Sequence, residues 1–146
     1  MNWKVIIAGK PALKFAKDGV ADYEKRLRRF AKLEIVTVRD GSREDVSERL
    51  LKASDGCFRI ALDERGASWT TMDFVGNVNA WEMRGVKTVA LLIGASDGHT
   101  EELRKSCDLT LCLGTMTLQH EMALLILMEQ IYRVYNIKAG TPYHRV

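Results

Sequence analysis

The sequence predicts an α/β protein: a mostly parallel sheet with helices on both faces. Three observations predict it. Short apolar runs of strand character alternate with longer stretches whose apolar residues recur every three or four positions. Three of the longer stretches open on hydroxyl residues, Ser42, Thr70 and Thr100, and one stops near Gly85. No repeat, low-complexity tract or linker interrupts the 146 residues, so one domain over 1–146 is expected.

Taken in order, residues 3–8 form a first strand. The helix after it carries Leu13, Ala16, Val20, Tyr23, Leu27 and Phe30 as one apolar stripe. A strand over 33–38 leads to a charged helix opened by Ser42, with Asp45 as its third-position acid. A third strand spans 57–62. Thr70 and Asp73 open a helix that buries Phe74, Val78 and Trp81 and stops near Gly85. Residues 88–93 form the fourth strand, and a short helix over 100–106 leads to a fifth in "DLTLCLG". A helix over 121–139 closes the chain. Strands alternating with helices feed a parallel sheet, whose ligands sit beyond the carboxyl ends of the strands. "IGASDG" and "LGTMTLQH" both belong there.

Composition narrows the function classes. Hydrophobic residues make up 47% and charged residues 28%, ordinary for a globular protein, and the net charge of +3 permits an anionic partner without requiring one. Cys57, Cys107 and Cys112 form no Cys-x-x-Cys pair, which argues against a disulfide framework or a zinc site and for a reducing compartment. The opening residues lack the apolar run of a signal peptide, and the longest such run, Met122 to Met128, cannot cross a bilayer. A cytoplasmic protein with no membrane partner and no metal is expected.

Among phosphate motifs, "AGKPALK" lacks the leading glycine and the hydroxyl residue of a P-loop, and Gly-x-Gly-x-x-Gly is absent. "GASDG" meets the spacing of a hydrolase nucleophile turn at Ser96, with His99 and His120 as candidate bases. Taken alone, the same stretch reads first as a plain turn leading to a helix capped by Thr100, and next as a loop whose glycines admit a ligand to the backbone. "GTMTLQH" mixes hydroxyl residues with Met116 and Leu118, the makings of an apolar slot for a flat heterocycle. Residues 122–128 are apolar on every helical face, more than one sheet can cover, which favours a symmetric homodimer. "EKRLRRFAK" is either a solvated face or a phosphate-binding edge. The terminal "TPYHRV" adds an aromatic plane, an imidazole and a guanidinium suited to RNA.

Together "LLIGASDGHT", "GTMTLQHEMALLILMEQIYRVYNI" and the terminal "PYHR", with "AGK", "YEKRL" and "LDERG" upstream, resemble the small SPOUT-class methyltransferases of the RlmH type. The resemblance covers nearly the whole chain. It implies S-adenosylmethionine-dependent methylation of N3 of a pseudouridine in 23S ribosomal RNA within the ribosome, a carboxyl-terminal trefoil knot, and a homodimer with the pocket at its interface. It assigns the cofactor to Leu62, Gly94, Leu113, Gly114, Thr115, Met116, Thr117 and Leu118. Tyr143, His144 and Arg145 become the catalytic side, for stacking, proton handling and charge stabilisation respectively. The chain departs from the family pattern at Ala95, usually glycine; Gly114, usually serine; Gln119, usually proline; and Leu124, usually arginine. The last departure keeps a second reading open, that of a ribosome- or RNA-binding protein that retains the fold with weakened catalysis.

Overall fold

The computed structural model describes residues 1–143. Strands and helices alternate as β1 (Asn2–Ala8), α1 (Lys14–Leu27), β2 (Lys32–Val38), α2 (Arg43–Ala53), β3 (Phe58–Ser68), α3 (Thr71–Met83), β4 (Thr88–Ile93), α4 (Glu101–Ser106), β5 (Leu109–Cys112) and α5 (His120–Ala139). The strands form one sheet in the order β2-β1-β4-β3-β5, and every neighbouring pair is parallel. All five carboxyl ends therefore lie along one edge.

Helices cover both faces, which is why the central strands are apolar without alternation. Val5 and Ile7 of β1 and Val89, Leu91 and Ile93 of β4 join a core with α1, α3 and α5. Ile6, Ala8, Ala90 and Leu92, one residue out of phase, pack on Val46 and Leu50 of α2 and Leu103 of α4. Trp3 centres the larger core. Its indole N–H donates to the Tyr135 hydroxyl at 2.6 Å, and its ring meets Phe74 and Trp81 edge-on.

The helix starts follow from sequence. Ser42 Oγ accepts from the Asp45 N–H at 3.1 Å. Thr70 and Asp73 form a reciprocal capping box, with bonds of 3.0 and 2.9 Å. Such caps are worth about 1 kcal/mol each. At the far end of the chain, Gly140 closes α5 in a left-handed conformation, φ +71.

One strand is longer than its sequence predicts. β3 continues past Leu62 to Ser68, and Leu62 and Ala67 both face Leu111 of β5, so Asp63 to Gly66 bulge out between them. Four polar or small residues have no strand pattern, which is why this continuation does not show in the periodicity. Gly66 makes it sterically feasible: a Cβ there would stand 2.5 Å from the Thr110 carbonyl group and 2.6 Å from the Leu111 nitrogen.

Candidate cofactor cleft

Three segments meet at the carboxyl edge of the sheet because β4, β3 and β5 are neighbours. They are the Asp63–Gly66 bulge, the loop after β4 and the loop between β5 and α5. Between them lies a cleft of about 250 Å³ whose wall includes Leu62, Gly94, Leu113, Gly114, Met116, Thr117 and Leu118. Those are seven of the eight residues that the resemblance assigns to the cofactor. Thr115 lies exposed on the same turn, off the wall. The cleft is small for a ligand pocket, and its outer lip is apolar and bare: Met116 is 84% and Leu118 37% exposed.

The wall also holds Asp63 and His99, neither of which the sequence marks as a contact. His99 is 3% exposed. Its Nε2 lies 3.0 Å from the Leu92 carbonyl, so that nitrogen carries the proton and Nδ1 is left as an acceptor. Nδ1 is buried and has no protein partner among the described residues. Burial pulls the pKa of the ring below the ordinary imidazole value, against the opposing pull of the Leu92 and Leu62 carbonyls and the Asp63 carboxylate. The His99 carbonyl accepts from Arg104 at 2.8 Å, and Arg104 lies 3.6 Å from Asp63, which also pairs with Arg65 at 3.3 Å. The β4 loop is thus tied to the β3 bulge. The Asp63-x-Arg65-Gly66 pattern was the available sequence signal for this tie.

At the start of α5, Gln119 caps the helix by accepting from the Glu121 and Met122 N–H groups at 2.7 and 3.1 Å, and its amide lies 3.2 Å from His120 Nδ1. Glu121 Oε1 accepts from Ala12 and Leu13 at 2.7 and 3.0 Å, pinning the loop after β1. Burial pushes its carboxyl pKa up, but the Leu13 and Ala12 N–H groups outweigh it and hold the value below the usual range. Leu124, one turn on, is 1% exposed in the core. The position at which the resemblance implies an arginine is taken up here by core packing. Ser96 is exposed, and the imidazole hydrogen bonds go to Leu92 and Gln119, so neither histidine is arranged to activate it.

Tyr143 is not on the cleft wall. Its ring meets Tyr132 edge-on at 4.6 Å, its hydroxyl lies 3.2 Å from that of Tyr23 and 3.3 Å from Glu129, and Arg133 sits over its face. Burial, then the Tyr23 bond, raises its pKa, so it stays protonated. Glu129 is nine residues along α5 from His120, about 14 Å at 1.5 Å per residue. His144 and Arg145 lie outside the described residues. Cys57, Cys107 and Cys112 are free thiols, and burial pushes Cys107 up to about 11. Among the described residues no three His, Cys, Asp or Glu side chains gather as metal ligands, and no helix is long and apolar enough to cross a membrane.

A wholly parallel sheet with helices on both faces and a glycine-rimmed cleft at its carboxyl edge defines an α/β protein built to hold a small ligand. The family model described as "Predicted SPOUT methyltransferase" matches residues 1–144. A Ribosomal RNA large subunit methyltransferase H from Thermus thermophilus is 45% identical over 145 residues, 99% of each chain. A probable methylase family protein from Haemophilus influenzae superposes at a TM-score of 0.63 with 12% identity, over 99% of this chain and 70% of the other. A putative methyltransferase from Legionella pneumophila, solved with bound cofactor SAM, superposes at 0.50 with 14% identity, over 91% and 66%. The chain belongs to the SPOUT methyltransferase family.

Proposed function

We propose that the protein, acting as one domain over residues 1–146, is an S-adenosylmethionine-dependent methyltransferase of large-subunit ribosomal RNA. Its substrate position is N3 of a pseudouridine in the assembled ribosome. The observation that carries this reading is the convergence of three separate segments, Leu62, Gly94 and Leu113 to Leu118 with the exception of Thr115, on one cleft in a chain of this family. The match to a ribosomal RNA methyltransferase across both full chains supports the substrate class.

The cleft fits the cofactor chemically. Leu62, Ile93, Leu111 and Leu113 offer apolar walls to an adenine ring, while the Gly94, Gly98 and Gly114 backbones present polar groups free of side chains. Glu64 and Asp97, exposed on the wall, favour a cationic ligand, while the Asp63 carboxylate is already paired with Arg65 and Arg104. Bound there, S-adenosylmethionine supplies a methyl group on a positively charged sulfur. The task left to the protein is to align the acceptor nitrogen and help it lose its proton. His144 handles that proton, Arg145 holds phosphate or developing charge, and Tyr143 stacks on a base.

Those roles need a homodimer, because Tyr143 lies on the order of 14 Å along α5 from the cleft of its own protomer. Met122, Leu125 and Ile126 remain half-buried on α5, next to the exposed lip formed by Met116 and Leu118. A second copy against these residues covers both surfaces and brings its tail to the open cleft. The trefoil knot belongs to the same reading, threaded through the segment where Gly66 touches the Thr110 backbone. The setting is the cytoplasm.

The test is methyl transfer from a labelled donor to ribosomes, and to separated subunits, that lack the modification. Label in large-subunit RNA is the expected result. A protein that binds the donor and the ribosome and transfers nothing is instead the weakened binding protein that Leu124, in place of arginine, leaves as the second reading.

A further inference from the structure

We propose that Arg28, Arg29 and Lys32 form a second contact for RNA backbone phosphates, at the edge of the sheet opposite the cofactor cleft. The inference rests on the ribosomal reading above and adds a surface to it. α1 returns the chain from the carboxyl end of β1 to the start of β2, so these residues lie at the amino-terminal edge. β2 has seven residues, which places them roughly 20 Å from the carboxyl edge at about 3.3 Å per residue.

The stretch from Lys25 to Leu33 carries five cations and no acid. Two of them have ordinary structural uses. Lys25 and Arg26 sit in the last turn of α1, where cations favour the helix dipole, and Arg26 also pairs with Asp22 at 3.2 Å. Arg28, Arg29 and Lys32 lie beyond the helix, are exposed, and make no ion pair among the described residues. They line an open notch of about 420 Å³ together with Phe30, Ala31 and Leu33.

The notch is held in shape. Phe30 stacks on Tyr135 with 5.9 Å between ring centres and 17° between planes, and the Arg29 guanidinium lies over the Phe30 ring at 4.6 Å. A guanidinium resting on a ring loses less freedom on meeting a phosphate than one ranging in solvent, and Arg is suited to phosphate oxygens. Lys32 opens the edge strand β2, and a lysine there also discourages strand pairing. That use explains one cation and leaves two.

The test uses the full-length protein and large ribosomal subunits, with binding measured across a series of salt concentrations. The triple variant Arg28→Gln, Arg29→Gln, Lys32→Gln should lower the slope of log affinity against log salt by about 2 to 3, since each phosphate contact contributes about 0.7 to 0.9. Its melting temperature and its affinity for S-adenosylmethionine should match wild type. An unchanged slope overturns the proposal. If the triple variant melts early, the single Gln variants decide, each expected to lower the slope by about 0.7 to 0.9. Equal loss of binding to ribosomal proteins stripped of RNA assigns the surface to an acidic protein and sinks the RNA reading. Should the slope fall while wild-type protein transfers no methyl group, the surface stands and the methyltransferase reading fails.

Discussion

The edge of the His99 ring occupies the space that a side chain at Gly94 would need: a Cβ on Gly94 would lie 3.1 Å from His99 Cε1 and Nδ1, and 3.3 Å from the Gly98 carbonyl oxygen. The glycine at the end of β4 therefore admits a buried imidazole as well as leaving the cleft wall bare. Gly94→Val should destabilise the fold by about 1–3 kcal/mol through overpacking and abolish S-adenosylmethionine binding, read by thermal shift and calorimetry. The double variant Gly94→Val with His99→Ala should recover stability without recovering binding. Full recovery of both would assign Gly94 to His99 alone.

His99 also sets an acid sensitivity. Its folded pKa lies below the unfolded value of 6.5, so below that value the unfolded chain binds more protons than the folded one. Stability should then fall as pH drops through 6.5 towards the folded pKa, with no contribution above. Denaturant titrations at several pH values should show the slope in wild type and lose it in His99→Phe. A slope of equal size in the variant assigns it to other groups.

Glu121 should titrate lower. Its depressed carboxyl pKa contributes stability above the unfolded value of 4.5, lost as pH falls through the folded value. Glu121→Ala leaves the Ala12 and Leu13 N–H groups without their acceptor and should cost about 1–3 kcal/mol. Glu121→Gln keeps one carbonyl oxygen and should cost less. Denaturant midpoints at neutral pH rank the three proteins, and equal midpoints would deny the clasp.

Gly66→Ala is expected to be the most damaging single methyl group in the chain. The new Cβ would press on the Thr110 backbone, which has no flexible end to yield, so β3 and β5 must separate. Melting temperature and cofactor affinity should fall together. A normally stable variant would mean that the bulge relaxes freely.

Deleting residues 143–146 should separate cofactor binding from methyl transfer, if the proposed roles of the tail hold. The truncated protein should stay folded and bind S-adenosylmethionine within a few-fold of wild type, while methyl transfer falls by roughly a hundredfold or more, the scale of losing positioning and proton transfer together. Mixed with Gly94→Val and allowed to exchange subunits, it should regain activity, because in the proposed homodimer each mixed pair holds one intact pairing of cleft and tail. Failure to complement would place the tail beside the cleft of its own chain.

The element order was legible in the sequence because the strands are short and apolar and because Ser42, Thr70 and Thr100 cap their helices as their types predict. The bulge after Leu62 was not, since "DERG" has loop composition and its pairing with β5 depends on a close backbone approach that only Gly66 permits. The cleft was legible as two glycine-bearing loops at strand ends. A histidine three residues after a serine reads locally as a base; the burial of His99 against Leu92 is a tertiary fact with no local signature. The apolar faces of 122–128 divide in the fold into buried Leu124, Leu127 and Met128 and half-buried Met122, Leu125 and Ile126, a division that depends on where α1 and α3 pack.

The most direct measurement is to map the methyl group. Large ribosomal subunits and intact ribosomes lacking the modification would be incubated with the protein and labelled S-adenosylmethionine, the RNA digested, and the labelled nucleoside identified by mass spectrometry. One methyl group per ribosome is expected, on N3 of a pseudouridine in the large-subunit RNA, and none with Gly94→Val. Label on small-subunit RNA, on ribosomal protein or on another base, or none at saturating donor, would contradict it.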